Sequence, residues 1–583
     1  MNRVVLEGAL LDGVLERLTR PDYRAFEAQL RSSGYCERPV RLQGSVQVCD
    51  GDGPPRQVWS TDGEPDGLLR KACGNRREAV CGPCAERYRG DAWHLIAAGL
   101  QGGKGVSDSV AGHPAVFATL TAPSFGVVHA HVLGADGKPV RCHPRRARPV
   151  CPHGVALSCS RVHGPDDPCL GEPLCHECFD YEGAVIWNNL LGELWRRTTI
   201  YLPRQLAKLV GITQKRLHEL VRVSYVKVAE YQHRGLVHVH PVIRLDRRMP
   251  KYRADEVRAP DRRFTAQLLE DAVRATAAAV GVQVPDELGG GTVGWGGQLD
   301  VQQLINDVQE RRRRAGYLAK YSTKSTEQAG GLLHRIPRGE VEHVHVREHV
   351  RRYMRAAFVL HDQVTDVIGA DEPVEGMNGP RPAPATSRYP NELMLRVLLA
   401  MSTDERIAVR LQDATEYVGR ITRRTPDGVV LDTGPEVAFA DVRAITAAAP
   451  GPATRDPRDR RLAACAHTFG YRGHCLTKSR RWSTTFKELR EARQRHVHEQ
   501  LLARDADPAQ RELAELAPDR RIATFAFAGI GHLTTADAYL AAQAAARARE
   551  ERELARDALM TTHNRRPAYR CEPPQDPPTK AAA

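Results

Sequence analysis

The spacing of apolar and polar residues first shows where the chain favours strands. Residues 116–121 form an apolar run, and the residues on both sides of Gly235 alternate in polarity with a period of two, which predicts a hairpin. Residues 405–446 hold short Val- and Ile-rich runs around a Pro-Asp-Gly turn and predict a small β-barrel. Residues 486–515 and 535–560 are rich in Ala, Arg and Glu and are predicted to be helical. We therefore expect an α+β multidomain fold with a central antiparallel β-sheet flanked by helices.

The same pattern divides the chain into segments. A length of 583 residues is too great for one hydrophobic core, so several domains are expected. They are an N-terminal region with a Cys zinc module (1–112), a core (113–330) with a Cys/His-rich insertion at 140–180, a helix and Pro/Gly-rich linker (331–388), the small β-barrel (389–448), and a helical, basic C-terminal region with a disordered tail (449–583).

Charge and cysteine usage narrow the class of protein. Lys and Arg number 84 against 71 Asp and Glu, a net charge of +13, which fits a nucleic-acid partner or an arginine-rich genome. No apolar run reaches the about 18 residues of a membrane span, and the N-terminus does not resemble a signal peptide, so we expect a cytoplasmic protein without a membrane partner. Disulfides are then not expected, and the clustering of eleven of fourteen cysteines between Cys36 and Cys178 indicates metal sites.

The hairpin around Gly235 carries the densest chemical signal. A three-residue loop, 233–235, would set Glu230 directly opposite His238, with Cβ atoms about 5 Å apart and His240 one diagonal away on the same face. Two imidazoles and a carboxylate on one face form a divalent-metal site with open coordination positions. A non-haem iron oxygenase uses the same ligand set, and a hairpin with exposed polar residues is the plain alternative.

A helix with two tyrosines is predicted downstream. With about 3.6 residues per turn, one helix face carries Tyr317, Lys320, Tyr321 and Lys324. The apolar stripe of this helix is predicted at Val301, Leu304, Ile305 and Val308. A phenol with a pKa of about 10 is a poor nucleophile at neutral pH, and nearby lysines and a metal favour its ionised form. The alternative is a solvated basic helix with two packed tyrosines.

Two cysteine groups are candidate structural zinc sites. The first is Cys36, Cys73, Cys81 and Cys84, where Cys49 competes with Cys36 as the fourth ligand. The second offers more candidates than one tetrahedral site needs: Cys142, Cys151, His153, Cys159, His163, Cys169, Cys175 and Cys178. Of these we expect Cys151, Cys159, Cys175 and Cys178 to bind zinc. Reduced buried thiols without metal are the alternative for both groups.

A basic, aromatic segment lies near the C-terminus. Residues 471–482 combine Tyr471 and Trp482 with cations, which suits phosphate contact and base stacking, or else forms a turn with a solvated basic face. The helices that follow are candidates for a DNA-binding or oligomerisation module.

Three motifs in order resemble those of HUH endonucleases of the rolling-circle replication class. They are Phe117-Ala-Thr-Leu-Thr121, His238-Val-His240 and Tyr317-Leu-Ala-Lys320-Tyr321. More closely, most of 30–365 and 460–550 resembles the replication initiators of actinomycete plasmids and integrative elements, through segments 73–84, 174–181, 470–485 and 527–540. Residues 390–446 are not expected of this family and are treated as an insertion.

The resemblance implies an HUH-type sheet and a mechanism. A Mg²⁺ or Mn²⁺ ion on Glu230, His238 and His240 polarises the scissile phosphate of single-stranded or cruciform DNA. Tyr321 attacks, forms a 5′-phosphotyrosine link and frees a 3′-OH, and Tyr317 acts as a second nucleophile that closes the displaced circle. The reverse order of the two tyrosines stays open. The implied partners are single-stranded and duplex origin DNA and a host helicase and polymerase.

Two other functions stay open. One is an HUH transposase or relaxase-like mobilisation protein, although many relaxases place the tyrosine before the histidines and here the tyrosines follow. The other is a non-enzymatic zinc-containing DNA-binding regulator, whose function would survive Tyr321→Phe and His238→Ala.

Overall fold

A computed structural model describes most of the chain. The described residues are 8–48, 55–253, 256–370, 407–411, 416–419, 421–424, 428–431, 436–438, 442–447, 461–503 and 521–564. They fall into two compact units, one within 1–284, 290–358 and 463–583 and the other within 285–289 and 359–462. Cys49, the predicted linker after residue 370 and the predicted tail after residue 564 lie outside the described residues.

The helices and strands are as follows. The α-helices are α1 (Gly8–Thr19), α2 (Tyr23–Ser32), α3 (Gly82–Gln101), α4 (Tyr181–Val210), α5 (Gln214–Leu220), α6 (Ala266–Ala279), α7 (Val308–Tyr321), α8 (Glu348–Ala370), α9 (Phe486–Ala503) and α10 (Thr535–Asn564). The strands are β1 (Val40–Val48), β2 (Arg56–Ser60), β3 (Leu69–Lys71), β4 (Ala115–Leu120), β5 (Val132–Leu133), β6 (Pro139–Val140), β7 (Val221–Tyr231), β8 (Val237–Arg247), β9 (Gly281–Gln283), β10 (Thr292–Gly294), β11 (Leu299–Gln303), β12 (Ile407–Leu411), β13 (Glu416–Gly419), β14 (Ile421–Arg424), β15 (Gly428–Leu431), β16 (Glu436–Ala438), β17 (Val442–Ala447), β18 (Leu476–Lys478) and β19 (Arg521–Ile530).

A five-stranded antiparallel sheet organises the larger unit. Its order is β11-β4-β8-β7-β18, so the predicted strand at 116–121 and the predicted hairpin lie at its centre. Alternation along the strands sends Val226, Val228 and Val242 toward α3 and α7, where they join one buried cluster. The intervening residues, such as Ile243 and Leu245, face α4 and α6 in a second cluster. This confirms an α+β fold in which helices cover both faces of an antiparallel sheet.

The segment 463–503 belongs to this core. Strand β18 pairs with β7, and Trp482 is fully buried, so close to α3 that a Cβ at Gly99 would collide with its ring. Tyr471 is also buried, and its hydroxyl donates to the His474 carbonyl at 3.1 Å. The expectation that Tyr471 and Trp482 stack on bases is therefore wrong, because their rings are used in packing.

A second sheet combines three strands from the N-terminal region with one strand from the C-terminal region. Strand β1 pairs with β19 along its length and also with β2 and β3. Helix α1 is joined to α10 by a buried ion pair, in which Arg17 donates to Asp537 at 2.7 Å. The C-terminal region that we expected to be helical thus also contributes a strand.

Two other expectations need correction. The described strands within 407–447 form two separate three-stranded sheets, β13-β12-β17 and β14-β15-β16, rather than the predicted closed barrel, because the consecutive strands β13 and β14 pair in different sheets. The predicted apolar stripe before Tyr317 is also wrong. Val301 lies in β11, Ile305 is 65% exposed, and α7 begins only at Val308, where the Asp307 side chain caps it.

None of the helices in the described part of the chain combines the length and apolar character needed to cross a membrane.

Candidate active site

The hairpin β7–β8 brings two imidazoles and a carboxylate together, in the predicted register. Glu230 lies opposite His238, and Gly235 turns the loop with a φ of 81°. The Glu230 Oε2 atom is 2.9 Å from His240 Nε2 and 3.6 Å from His238 Nε2. Three donor atoms therefore converge on one patch of the sheet face that α7 covers.

Neighbouring side chains hold these imidazoles. The Thr119 hydroxyl is 3.2 Å from His240 Nδ1, and the Phe117 ring stacks on the His240 ring at 5.9 Å between centroids. Burial, aided by the nearby His240 and Arg234, lowers the pKa of His238 to about 3, so its imidazole is neutral and can donate a lone pair. The Nδ1 atom of His238 is buried without a hydrogen-bond partner among the described residues.

Helix α7 places both tyrosines against this cluster. The ring of His240 lies 5.4 Å from that of Tyr317 and 6.4 Å from that of Tyr321, and the two phenols are 4.7 Å apart. Burial and then the charge of Glu230 raise the pKa of both phenols. Both are thus protonated near neutral pH, and a cation at Glu230 would offset the part of the pKa increase that comes from the Glu230 charge.

The two lysines of the predicted helix face do not share one environment. Lys320 is exposed, with Nζ 5.7 Å from the centre of the Tyr321 ring. Lys324 lies beyond the end of α7 and forms an ion pair with Glu78 at 3.6 Å. The prediction that Lys324 extends the tyrosine face is wrong, because the helix ends at Tyr321.

A loop of the first cysteine group contacts the residues that follow α7. The sulfur atoms of Cys36, Cys73, Cys81 and Cys84 are all within 4.8 Å of one another. Arg76, which lies between Cys73 and Cys81 in the sequence, donates hydrogen bonds to the carbonyls of Ser322 and Lys324, both at 3.1 Å. This contact satisfies carbonyls after the helix and was not foreseen, since nothing in the sequence pairs residue 76 with residue 322.

The second cysteine group differs from the predicted one. Cys151, Cys175 and Cys178 come together with His153, whose Nδ1 atom is 3.3 Å from the Cys178 sulfur. Cys159 does not join this group. Its backbone pairs with that of His143, which places Cys159 away from Cys151. It joins a separate group: His129, Cys142, Cys159 and His163. His129 was not among the candidates, because it precedes the cysteine-rich stretch.

Comparisons with known proteins match most of the chain to replication initiators. The family model described as "Replication initiator protein, pSAM2" matches residues 22–377 and 416–546. A curated "Replication initiator protein" of Streptomyces ambofaciens is 33% identical over 578 residues, covering 96% of this chain and 98% of the relative. No solved structure matches the chain. The family match resumes at residue 416, so the expectation that all of 390–446 is foreign to the family is wrong.

Proposed function

Given that the chain belongs to this replication initiator family, we propose that it initiates replication by the rolling-circle route. It nicks and rejoins single-stranded origin DNA through a tyrosine-linked intermediate. The observation that carries this proposal is the contact between α7 and the hairpin. Two phenols lie against a cluster of two histidines and a glutamate, with ring distances of 5.4 Å and 6.4 Å from His240.

The cluster fits a divalent cation of the Mg²⁺ or Mn²⁺ class. Adjacent ligand atoms of an octahedral Mg²⁺ site are about 3 Å apart, and Glu230 Oε2 and His240 Nε2 are separated by 2.9 Å. Neutral His238 supplies a third donor beside them. Glu230, His238 and His240 would hold the ion, which when bound supplies Lewis-acid stabilisation of charge on the scissile phosphate.

The protein side chains carry out the remaining steps of the reaction. Tyr321 attacks the scissile phosphorus, its oxygen becomes linked to the 5′-phosphate, and the leaving strand keeps a free 3′-OH that a host polymerase extends. Tyr317, whose ring contacts Tyr321, is the second nucleophile in the joining step. Glu230 opposes ionisation of both phenols until its charge is balanced. Lys320, exposed beside Tyr321, faces the incoming phosphate.

The DNA is held by basic surface outside the reacting atoms. A cavity of about 1000 Å³ is lined by five cations and two carboxylates, together with small polar and apolar side chains: Lys104, Arg258, Arg480, Arg481, Arg495, Glu256 and Glu488. Such a cluster of cations suits a phosphate backbone and predicts binding that weakens with salt.

Zinc ions on the first two cysteine groups would stiffen the modules that flank the core. The ion at Cys36, Cys73, Cys81 and Cys84 would fix the loop of Arg76 against the end of α7. A host helicase opens the duplex after the nick.

The test uses the full chain with a set of labelled single-stranded oligonucleotides that together cover both strands of its own replicon. Each oligonucleotide is called a tile. One tile should be cut when Mg²⁺ or Mn²⁺ is present, its 3′ end should be extended by a polymerase, and chelator should abolish cutting. His240→Ala should bind the same tile without cutting it, with Gln232→Ala in the hairpin loop as the matched control. Binding of all tiles without any cutting would support the alternative of a non-enzymatic DNA-binding regulator instead.

A further inference from the structure

We propose a third zinc site, formed by Cys142, Cys159 and His163 of the Cys/His-rich insertion together with His129, which lies just before it. Each residue directs one nitrogen or sulfur toward a common point, and these atoms all lie within 4.8 Å of one another. The group is separate from the one formed by Cys151, His153, Cys175 and Cys178, so the insertion would bind two ions. This inference does not depend on the proposed nicking activity.

The distances fit a tetrahedral ion. With zinc bonds of about 2.0–2.3 Å, ligand atoms are roughly 3.3–3.8 Å apart. His163 Nε2 is 3.2 Å from His129 Nδ1 and 3.4 Å from the Cys159 sulfur. Two thiolates and two imidazoles are an ordinary ligand set for structural zinc.

The surroundings of the ligands support the same assignment. His163 Nδ1 lies 2.8 Å from Asp167 Oδ2, so its other nitrogen, Nε2, is left to face the cluster. A carboxylate that orients a histidine in this way is usual around zinc. The backbone amide of Ala130 donates to the Cys142 sulfur at 3.2 Å, which stabilises a thiolate.

The packing of the insertion supplies an independent argument. Across residues 127–169, all of which the structure describes, the buried residues are Cys142, Cys151, Cys159 and His163. None of the large apolar side chains of this stretch is buried: Leu133, Val140, Val150, Val155 and Val162 are exposed, and Val127, Val128, Val132 and Leu157 are half-buried. A segment without an apolar core needs other cross-links to keep a fixed shape, and bound metal provides them.

A different ligand set around His163 must be distinguished. Asp167 and Cys169 approach the opposite ring nitrogen, with the Cys169 sulfur 3.3 Å from His163 Nδ1. That set offers three ligands, and Asp167 already accepts the backbone amide of Cys169 at 3.0 Å. We therefore assign Asp167 to positioning and leave Cys169 outside the site.

The first measurement needs no variant. The full chain is loaded with ¹¹³Cd in place of zinc, and its ¹¹³Cd spectrum is recorded, because the shift of each resonance reports how many thiolates bind the ion. We expect separate resonances for a site with four thiolates, one with three and one with two. A spectrum that lacks the two-thiolate resonance, while the others are present, overturns the proposal.

The second measurement locates the site. Zinc per chain is measured by mass spectrometry for the wild type and for Cys142→Ser, with Cys169→Ser as the matched control from the same insertion. Cys142→Ser should lose one zinc ion per chain, and Cys169→Ser none. Loss of zinc from Cys169→Ser but not from Cys142→Ser would contradict the ligand set. If Cys142→Ser does not fold, the ¹¹³Cd spectrum of the wild type still decides.

Discussion

Thr119 offers a test of how the histidines of the proposed active site are positioned. Its hydroxyl is the hydrogen-bond partner of His240 Nδ1 at 3.2 Å, while His240 Nε2 faces Glu230. The substitution Thr119→Val keeps the shape and β-branching of the side chain and removes only this partner. Removing such a partner of a ligating histidine typically lowers metal affinity about 10–100-fold, or about 1.4–2.7 kcal/mol. The bond is half-buried and has ordinary length, so we expect a value near the lower end.

The assay is a Mn²⁺ titration of the full chain followed by electron paramagnetic resonance of the free ion. Because Mn²⁺ prefers oxygen and nitrogen ligands, the thiolate-rich groups should not interfere. Thr119→Val should weaken Mn²⁺ binding about tenfold, and Thr119→Ser, which keeps the hydroxyl, should restore it. The melting temperature should hardly change, since the main-chain pairing of β4 with β11 is untouched. Equal Mn²⁺ affinity of the wild type and Thr119→Val would refute this positioning role.

Three further predictions concern other parts of the molecule. Asp246 has a pKa of about 2 although burial raises it, because hydrogen bonds from His113, Arg244 and Ser224 favour the carboxylate. Against an unfolded pKa of about 3.9, this carboxylate contributes about 3 kcal/mol to the free energy of unfolding at neutral pH, and this contribution is lost as the pH falls from about 4 to 2. Asp246→Asn should remove this part of the acid dependence in thermal melts, and an unchanged profile would contradict it. Trp482→Ala should cost about 3–5 kcal/mol in urea unfolding, because the ring is fully buried under α3, whereas an exposed base-stacking Trp would cost little. Cys81→Ser should release zinc and slow nicking, because the loop that holds Arg76 against the carbonyls after α7 loses its anchor. Release of zinc with unchanged nicking would show that the Arg76 contact is not needed.

The hairpin and the convergence of its polar side chains could be predicted because the information is local. Period-two alternation and a loop that ends in Gly235 determine which side chains share a face, and the observed register pairs Glu230 with His238 as expected. The spacing of Tyr317 and Tyr321 similarly predicts that they share a helix face. What local spacing could not supply was the extent of that helix, which depends on where its cap, Asp307, lies and where it ends.

Pairings between distant segments could not be predicted. Cysteine spacing alone does not choose among eight candidate ligands, and the choice is made by backbone bridges such as that of His143 with Cys159. Trp482 looked suited to base stacking because its sequence neighbours are cationic, yet β18 adds to the central sheet and buries the ring. In each case the outcome depends on contacts across long stretches of sequence.

The central claim is that Tyr321 becomes covalently linked to DNA at the histidine cluster. Its most direct measurement is tandem mass spectrometry of the denaturation-resistant adduct formed on the tile that is cut in Mn²⁺. We predict a 5′-phosphotyrosine on Tyr321 in the wild type, transfer of the link to Tyr317 or its loss in Tyr321→Phe, and no adduct when both tyrosines are changed to Phe. An adduct that persists in the double variant, or a cut strand with no protein link, would contradict the account.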